Sequence, residues 1–254
     1  MRKKIAFSDN SNIRFSVVWK VFYTFLYHKI SVILVLSFIY LLISYSYAAE
    51  LFKSGEKFTY EVKSKGFKTG TSQLTFQGKE KINGRECYHI TFFTRLTAFT
   101  DVEEIYGSKD TFLPVEVRRT IKRFGTFATK IIEKYDQEKF RVDVQKKSRF
   151  HTEEFSIQKD APLNNAILLS YYCRAKKDFN QNERYKIILP TIEFDVMFSG
   201  KEVIETALGE FEAYVFTSDP PKFKLWLSTD EKRIPLKIIN PGKLEYSLEI
   251  KSID

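Results

Sequence analysis

Apolar and polar residues alternate with a period of two along most of the chain after residue 50, which is the pattern of strands that bury one face. The clearest case is segment 223–239. There Phe223, Leu225 and Leu227 point to one side of a strand, and the residues between them point to the other. A polar turn at 229–232 follows, and a second alternating run completes the segment. The pattern predicts a β-hairpin within an antiparallel sheet.

A similar hairpin is predicted at 105–115. In both segments an aromatic residue is followed by Ser two positions on, by Asp four positions on, and by Pro after the turn. The aromatic residues are Tyr106 and Trp226. The likeness indicates either an internal duplication or the reuse of one hairpin design, and the sequence leaves both readings open.

Further strands are expected throughout the rest of the chain. The strongest hairpin signal is Asn83-Gly84, because both residues tolerate positive φ. The alternating runs lie at 57–64, 72–76, 87–93, 121–132, 140–144, 150–157, 185–189, 192–198 and 245–250.

The alternation stops at Asp160. Asp160 followed by Pro162 predicts the start of a helix, with Asp as the N-cap, and the apolar residues of 166–175 fit a short helix packed on the sheet. The predicted fold is mainly β: a large curved antiparallel sheet, or a rolled sheet in two halves, with one short helical segment near 160–175. The halves would be 50–159 and 176–254, joined by helix 160–175.

The first 49 residues have the layout of a targeting segment. Residues 30–47 carry no charge, Lys20 and Lys29 precede them, and Ala48 and Ala49 follow. This order is typical of a signal peptide. The 18 uncharged residues also approach the length of a membrane span, so an uncleaved N-terminal membrane anchor is the alternative. Both readings export the β domain 50–254. They predict the periplasm or cell envelope, or else an inner-membrane protein whose domain lies outside the cytoplasm.

Composition and charge narrow the class of partner. The chain has 24 Phe and 14 Tyr, which favour strands. The net charge of +9 comes largely from the leader: without its six basic and one acidic residues, 35 basic and 31 acidic residues remain. These charges are mixed along the strands without a long basic run, so nucleic acid is not an expected partner.

The candidate chemistry is sparse. His89 and His151 have no second His or Cys at the spacing of metal ligands, and no Gly-x-Ser-x-Gly motif occurs. The acidic pairs 103–104 and 153–154 are strand neighbours that point to opposite faces, so neither pair can share a proton. The sequence therefore predicts no catalytic residue, metal site or cofactor, and it leaves open whether the protein is an enzyme.

The chain has two cysteines, Cys87 and Cys173. An oxidising compartment would allow them to form a disulfide. Two buried thiols are the other reading, which the apolar run 168–172 beside Cys173 favours.

A set of short motifs spans most of 50–254. In chain order they are Gly55-Glu56-x-x-x-Tyr60, Gly66 and Gly70, Asn83-Gly84, Tyr88-His89-Ile90, Leu113-Pro114, Tyr135-Asp136, Leu169-Ser170-Tyr171-Tyr172 with Arg174, Gly209-x-Phe211, and Trp226-Leu227-Ser228-x-Asp230. As a set they resemble the bacterial exported proteins grouped as domain-of-unknown-function family 3108. The resemblance implies an envelope β protein behind a signal sequence, and it supplies neither an activity nor catalytic residues. The hairpin motif also looks like hairpins of the curved-sheet lipoprotein carriers of the periplasm.

Trp226 and Tyr106 are the candidate ligand-binding residues. Each lies on the strand face away from its aliphatic neighbours, so each needs cover from core packing under the helix or from a ligand in an apolar cleft. The sequence thus favours a non-catalytic envelope protein that binds a hydrophobic ligand or an envelope partner, such as a lipid or a lipidated protein. A structural or interaction module of an envelope complex is the alternative, followed by an enzyme acting on envelope polymers. An aromatic-lined cavity would favour the first reading, and convergent ionisable groups in a cleft would favour the enzyme.

Overall fold

A computed structural model of the chain describes residues 51–254, except 177, 182 and 242–244. The predicted signal peptide or membrane anchor, residues 1–49, lies outside the described residues.

The described residues form fourteen strands and one helix. The strands are β1 (Lys57–Ser64), β2 (Phe67–Ile82), β3 (Arg85–Leu96), β4 (Phe99–Ser108), β5 (Pro114–Arg123), β6 (Thr129–Asp136), β7 (Arg141–Lys147), β8 (Thr152–Gln158), β9 (Arg184–Ile188), β10 (Glu193–Thr206), β11 (Gly209–Asp219), β12 (Lys224–Ser228), β13 (Pro235–Asn240) and β14 (Tyr246–Ile253). The helix, α1 (Ala166–Ala175), lies between β8 and β9 in the chain.

All fourteen strands belong to one antiparallel sheet. Strands β1 to β8 pair in chain order, strands β9 to β14 do the same, and β14 pairs with β1 to join the two runs. Strands β8 and β9 are the two edges, and they do not pair with each other, so the sheet stays open. The predicted mainly β fold, a large curved antiparallel sheet with one short helix, is confirmed.

The sheet curves around a core on one face. A row of apolar side chains crosses from strand to strand in register, as in the pairs Phe76–Ile90 and Ile90–Ile105. Leu168 and Tyr171 of α1 belong to the same cluster of buried residues, so α1 covers this face. We call it the concave face. The complete sheet, its core and α1 lie within 51–254, which forms a compact unit with its own core.

The segment between β8 and α1 spans the opening of the sheet. The amide of Asn164 donates to the carbonyl of Ile188 at 2.7 Å, and the Ile188 amide donates to Asn164 Oδ1 at 2.9 Å. Farther back, Gln137 Nε2 donates to the carbonyls of Pro114 and Leu163 at 2.9 and 3.0 Å. These bonds fasten the segment to β9 on one side and to the β6–β7 turn on the other.

The start of the helix differs from the sequence-based prediction. Helix α1 begins at Ala166, and its N-cap is Asn165, whose Oδ1 accepts from the amides of Ile167 and Leu168. Asp160 is not the cap, because residues 160–165 are not helical: a bend at 160–161 is followed by irregular backbone that leads to Asn165. Asn165 can replace it because Asn and Asp cap helices about equally well.

Two predicted strands also begin or end elsewhere. The predicted strand 121–132 is two strands, since β5 ends at Arg123 and β6 begins at Thr129, with Gly125 at φ +69° in the turn between them. Strand β8 begins at Thr152, so Phe150 lies in a turn. The break within 121–132 was not predicted, because Phe124, Thr126 and Phe127 in the turn are residue types that favour strands.

The two hairpins that look alike in sequence share their geometry. The register shifts at Tyr106/Gly107 in one and at Trp226/Leu227 in the other. In both, the Ser amide at the end of the first strand donates at 2.9 Å to the carbonyl just before the Pro. The motif therefore encodes a bulged hairpin, whichever origin the repeat has.

A buried ion pair attaches the end of α1 to the sheet. The side chain of Arg174 is fully buried, and its Nη1 and Nη2 donate to the two carboxylate oxygens of Glu56 at 2.8 and 2.9 Å. Nη2 also donates to the carbonyls of Lys232 at 3.2 Å and Leu51 at 3.4 Å. The rings of three aromatic residues pack around the guanidinium: Phe52, Phe58 and Tyr171.

We predict that Arg174→Met lowers the free energy of unfolding by about 3–5 kcal/mol, because it leaves the largely buried Glu56 carboxylate without its partner. Urea unfolding followed by circular dichroism measures the change. The control is Lys201→Met, which removes the exposed Lys201–Glu212 pair and should cost at most about 1 kcal/mol. Equal effects of the two substitutions would contradict the role assigned to Arg174.

Candidate functional site

A cavity lies beside α1, at the β9 edge of the sheet. It has a volume of about 460 Å³. We call it the edge cleft, and its walls are formed by residues 111–113, 161–162, 164–165, 168–169, 172 and 184–188. Three separate parts of the chain supply them: the β4–β5 turn, the segment leading into α1 with α1 itself, and β9.

Aromatic and aliphatic side chains form much of the cleft wall. The Tyr172 ring meets the Phe112 ring at a centroid distance of 6.5 Å and the Tyr185 ring at 5.9 Å, both edge to face. Leu168 approaches the sheet at Gly107, where a Cβ atom would lie only 2.8 Å from the leucine side chain. Glycine at 107 thus allows α1 to lie close to β4, beside the cleft.

The β9 edge gives the cleft a polar rim. Ile188 uses its amide and carbonyl to bind Asn164, away from β10, so the backbone groups of Lys186 and Arg184 face the same way. The side chains of these two residues are held in ion pairs. Lys186 Nζ lies 3.4 Å from Glu193, and Arg184 Nη1 lies 3.7 Å from Asp195 and 3.5 Å from Asp219.

A second, smaller cavity lies against α1. It has a volume of about 100 Å³ and is bounded by Ala166, Ile167 and Ser170 of α1 and by sheet residues such as Leu74 and Leu248. Its size suits a few solvent molecules rather than an extended ligand.

The structure buries both predicted ligand-binding residues, and it places them in different hydrophobic clusters. Leu225 and Leu227 pack in one cluster with Leu169 and Cys173 of α1, whereas Trp226 belongs to the cluster that contains Leu168 and Tyr171 of the same helix. Trp226 is buried there, its Nε1 donates to Glu202, and the ammonium group of Lys224 lies 4.2 Å from the ring centroid.

Tyr106 is also buried, but it lies far along the sheet from Trp226. Its ring stacks on His89 at 4.6 Å, and the guanidinium of Arg118 lies 5.1 Å from its centroid. Five strands separate it from Trp226, so the structure does not bring the two together. Neither lines either cavity. Contact of Trp226 and Tyr106 with a ligand stays a prediction, and the edge cleft is lined by other residues.

A group of ionisable side chains lies on the concave face, away from both cavities. Arg119 of β5 bonds to both carboxylate oxygens of Asp101, and its Nε lies 3.3 Å from Glu103. On β6, Tyr135 donates its hydroxyl proton to Glu133 at 2.5 Å. These five residues, which we call the polar cluster, come from three adjacent strands.

The polar cluster contains more carboxylates than cations. Burial raises the pKa of Glu103 to about 7; Arg119 partly opposes this shift, and the nearby Asp101 and Glu133 add to it. Burial and Glu133 also raise the pKa of Tyr135. Near neutral pH, both the protonated and the ionised form of Glu103 are therefore populated.

Metal binding and thiol chemistry find little support among the described residues. No group of three His, Cys, Asp or Glu side chains in this part of the chain is arranged to hold a metal ion. Cys87 and Cys173 are both buried free thiols in separate clusters, and burial raises the pKa of Cys173 to about 12. Within the same residues, no helix has the length and hydropathy that a membrane span requires.

The fold and cavities define an open, curved antiparallel β-sheet protein with an apolar cleft at one edge. The chain belongs to the family described as "Protein of unknown function (DUF3108)", whose model matches residues 59–248. No curated protein matches the chain.

Three solved structures are similar to this chain. A β-barrel-like protein of domain of unknown function DUF1849 from Brucella abortus is 10% identical, with a TM-score of 0.47, over 80% of this chain and 98% of that one. A protein described as a putative lipoprotein, from Parabacteroides distasonis, is 12% identical with a TM-score of 0.30 over 80% and 98%. An exported protein with a YmcC-like fold from Bacteroides fragilis, also described as putative, is 11% identical with a TM-score of 0.27 over 80% and 97%.

Several residues of the family-like motifs meet around α1. Glu56 and Arg174 form the buried ion pair, and the Tyr60 hydroxyl donates to the carbonyl of Pro235 at 2.9 Å. Tyr172 lines the edge cleft. The motifs therefore mark packing of the helix on the sheet, and only Tyr172 and Leu169 with Leu113 among them reach the cleft. The other cleft residues, such as Phe112 and Tyr185, carry no motif that would have identified them.

We predict that Glu103→Gln removes a pH dependence of stability. A carboxyl whose pKa rises from its ordinary value to about 7 binds more protons in the folded state, so it destabilises the fold as pH rises from about 4.5 to 7. The variant should therefore gain stability relative to the parent over this window, by roughly 1–3 kcal/mol at pH 8.

Urea midpoints at several pH values measure the effect. Glu104→Gln, on the opposite face of the same strand, is the matched control. If the difference in unfolding free energy between Glu103→Gln and the parent is the same at pH 4 and at pH 8, the raised pKa of Glu103 is wrong.

Proposed function

We propose that this protein is an exported envelope protein that binds the apolar part of a ligand, such as the acyl chain of a lipid or of a lipidated partner, in the edge cleft. The edge cleft itself carries the proposal: it encloses about 460 Å³, and aromatic and aliphatic side chains form much of its wall.

The volume of the edge cleft suits a small ligand. Ligand sites typically enclose about 300–1,000 Å³ and are lined mostly by apolar side chains with a few polar groups at fixed positions. The edge cleft fits this range at about 460 Å³. Phe112, Leu168 and Tyr172 would contact the chain of the ligand, and the β9 rim would meet its polar end.

The side chains of the edge cleft suit ligand binding better than they suit catalysis. Its charged side chains are Arg184 and Lys186, which are occupied by carboxylates of the sheet. The polar cluster, with its raised Glu103 pKa, does not line the cleft. Convergent ionisable groups, the sign expected of an enzyme, are thus not found beside the proposed ligand.

A peptide is the second candidate ligand, for which the β9 edge is the specific observation. The backbone groups of Arg184 and Lys186 face the cleft rather than β10, so an extended peptide segment could add to this edge as a further strand. Its side chains would enter the same apolar cleft. This would make the protein an interaction module of an envelope complex.

We predict that Ala161→Trp blocks the edge cleft and weakens binding of a fluorescent fatty acid by roughly tenfold or more, because the new indole fills space that the chain of the ligand would occupy. Fluorescence titration of residues 51–254 measures the affinity. Ala207→Trp, in the exposed β10–β11 turn, adds the same ring away from the cleft and should bind like the parent.

Trp226→Phe provides a second comparison, because Trp226 does not line the edge cleft. It should leave the affinity for the fatty acid unchanged. Loss of fatty-acid binding in Trp226→Phe but not in Ala161→Trp would reject the edge cleft as the binding site and indicate a site at Trp226 instead. No binding by the parent would reject the lipid ligand and leave the peptide to be tested.

We expect the protein to be exported, because Lys29 precedes the uncharged stretch 30–47 and small residues follow it. Cell fractionation and the mass of the mature protein test this expectation. A chain that begins near residue 49 in the periplasm supports cleavage, and an intact chain in the inner membrane supports the anchor. Intact protein in the cytosol would contradict export.

A further inference from the structure

Two neighbouring hairpin turns carry large aromatic side chains that are exposed to solvent. Phe124 is 91% exposed and Phe127 59% exposed in the β5–β6 turn, and Phe150 is 86% exposed in the β7–β8 turn. Both turns follow odd-numbered strands of one antiparallel run, so they lie at the same end of the sheet. We call residues 122–130 and 147–151 the tip surface.

The two turns are in contact. The guanidinium of Arg149 lies 3.8 Å from the centroid of the Phe127 ring and 4.8 Å from that of Phe150. The amide of Phe124 donates to the carbonyl of Ala98 in the neighbouring β3–β4 turn at 2.8 Å. The aromatic rings are therefore presented together on a backbone that the sheet holds in place.

The tip surface is also strongly basic. It contains five cationic residues and no Asp or Glu: Lys122, Arg123, Lys130, Lys147 and Arg149. Lys146, just outside it, pairs with Glu153, but none of the five forms an ion pair within the described part of the chain. Elsewhere the sheet mixes both signs, so this end has a local positive potential that no carboxylate of the tip surface offsets.

Folding does not account for this arrangement. Lys130 and Lys147 lie directly opposite each other on β6 and β7, where like charges destabilise a sheet. Exposed phenylalanine at a turn likewise contributes little to the core and favours aggregation. A partner that is both anionic and apolar would use all of these residues at once.

We propose that the tip surface docks on anionic lipid bilayers. The Phe rings would enter the boundary between headgroups and acyl chains, and the lysine and arginine side chains would contact lipid phosphates. The surface of such a bilayer supplies negative charge above and hydrocarbon below, which matches the basic and aromatic residues of the two turns. A soluble polyanion would match only the charge, and a second copy of this basic surface would repel it.

Vesicle sedimentation tests the proposal with residues 51–254, which contain the whole sheet and core. The segment should bind vesicles containing phosphatidylglycerol, bind pure phosphatidylcholine vesicles far more weakly, and lose affinity as ionic strength rises. The double variant Phe124→Ser/Phe150→Ser should bind anionic vesicles roughly tenfold or more weakly. Its melting temperature should be close to that of the parent, because both side chains are exposed.

The control is Val203→Ser/Leu208→Ser, which removes two exposed apolar side chains at the opposite end of the sheet. This variant should bind vesicles like the parent. Equal binding by both double variants, or no binding by the parent, would overturn the proposal.

Two further outcomes would identify another occupant and also overturn it. One is binding to inorganic polyphosphate without binding to vesicles. The other is a parent dimer, seen by analytical ultracentrifugation, that the Phe124→Ser/Phe150→Ser variant abolishes while vesicles are not bound.

Discussion

The buried guanidinium of Arg174 fixes the position of the only helix that the described residues contain. It joins the last turn of α1 to Glu56 before β1 and to the carbonyl of Lys232 in the β12–β13 turn. A charge taken out of water must be matched by such partners, and here they come from the two runs of strands that meet at β1 and β14. The helix in turn forms one wall of the edge cleft, so the shape of the cleft depends on this ion pair.

The edge cleft exists because the sheet does not close. Strands β8 and β9 remain apart, and the segment ending in Asn164 spans the opening and bonds to only one position of β9, Ile188. The remaining edge of β9 and the side of α1 then face a space that no strand fills. A sheet with β8 paired to β9 would have satisfied the backbone but left less room for a ligand.

The two proposed interactions use different parts of the molecule. The edge cleft includes the β4–β5 turn, whereas the tip surface is formed by the β5–β6 and β7–β8 turns at the other end of the strands. Docking on a bilayer through the tip surface would therefore leave the β4–β5 side of the cleft away from the lipid. The polar cluster around Glu103 lies between them along β4 and β5, where burial raises the pKa of Glu103 to about 7.

The sequence by itself determined the strands, the repeated hairpin and the presence of one helix. These features depend on local rules: alternation marks a face to be buried, and Asn83-Gly84 or a Pro after a turn sets the backbone there. Tertiary structure alone decided which side chains meet. Glu56 and Arg174 are 118 positions apart in the sequence, and the polar cluster combines side chains from three strands. The helix is capped by Asn165 rather than by Asp160, because the residues between them span the opening of the sheet. Alternation identified Trp226 and Tyr106 as aromatic residues that need cover. The location of a cleft depends instead on the curvature of the sheet and on which of its edges remain unpaired. No local sequence pattern encodes the curvature or the unpaired edges.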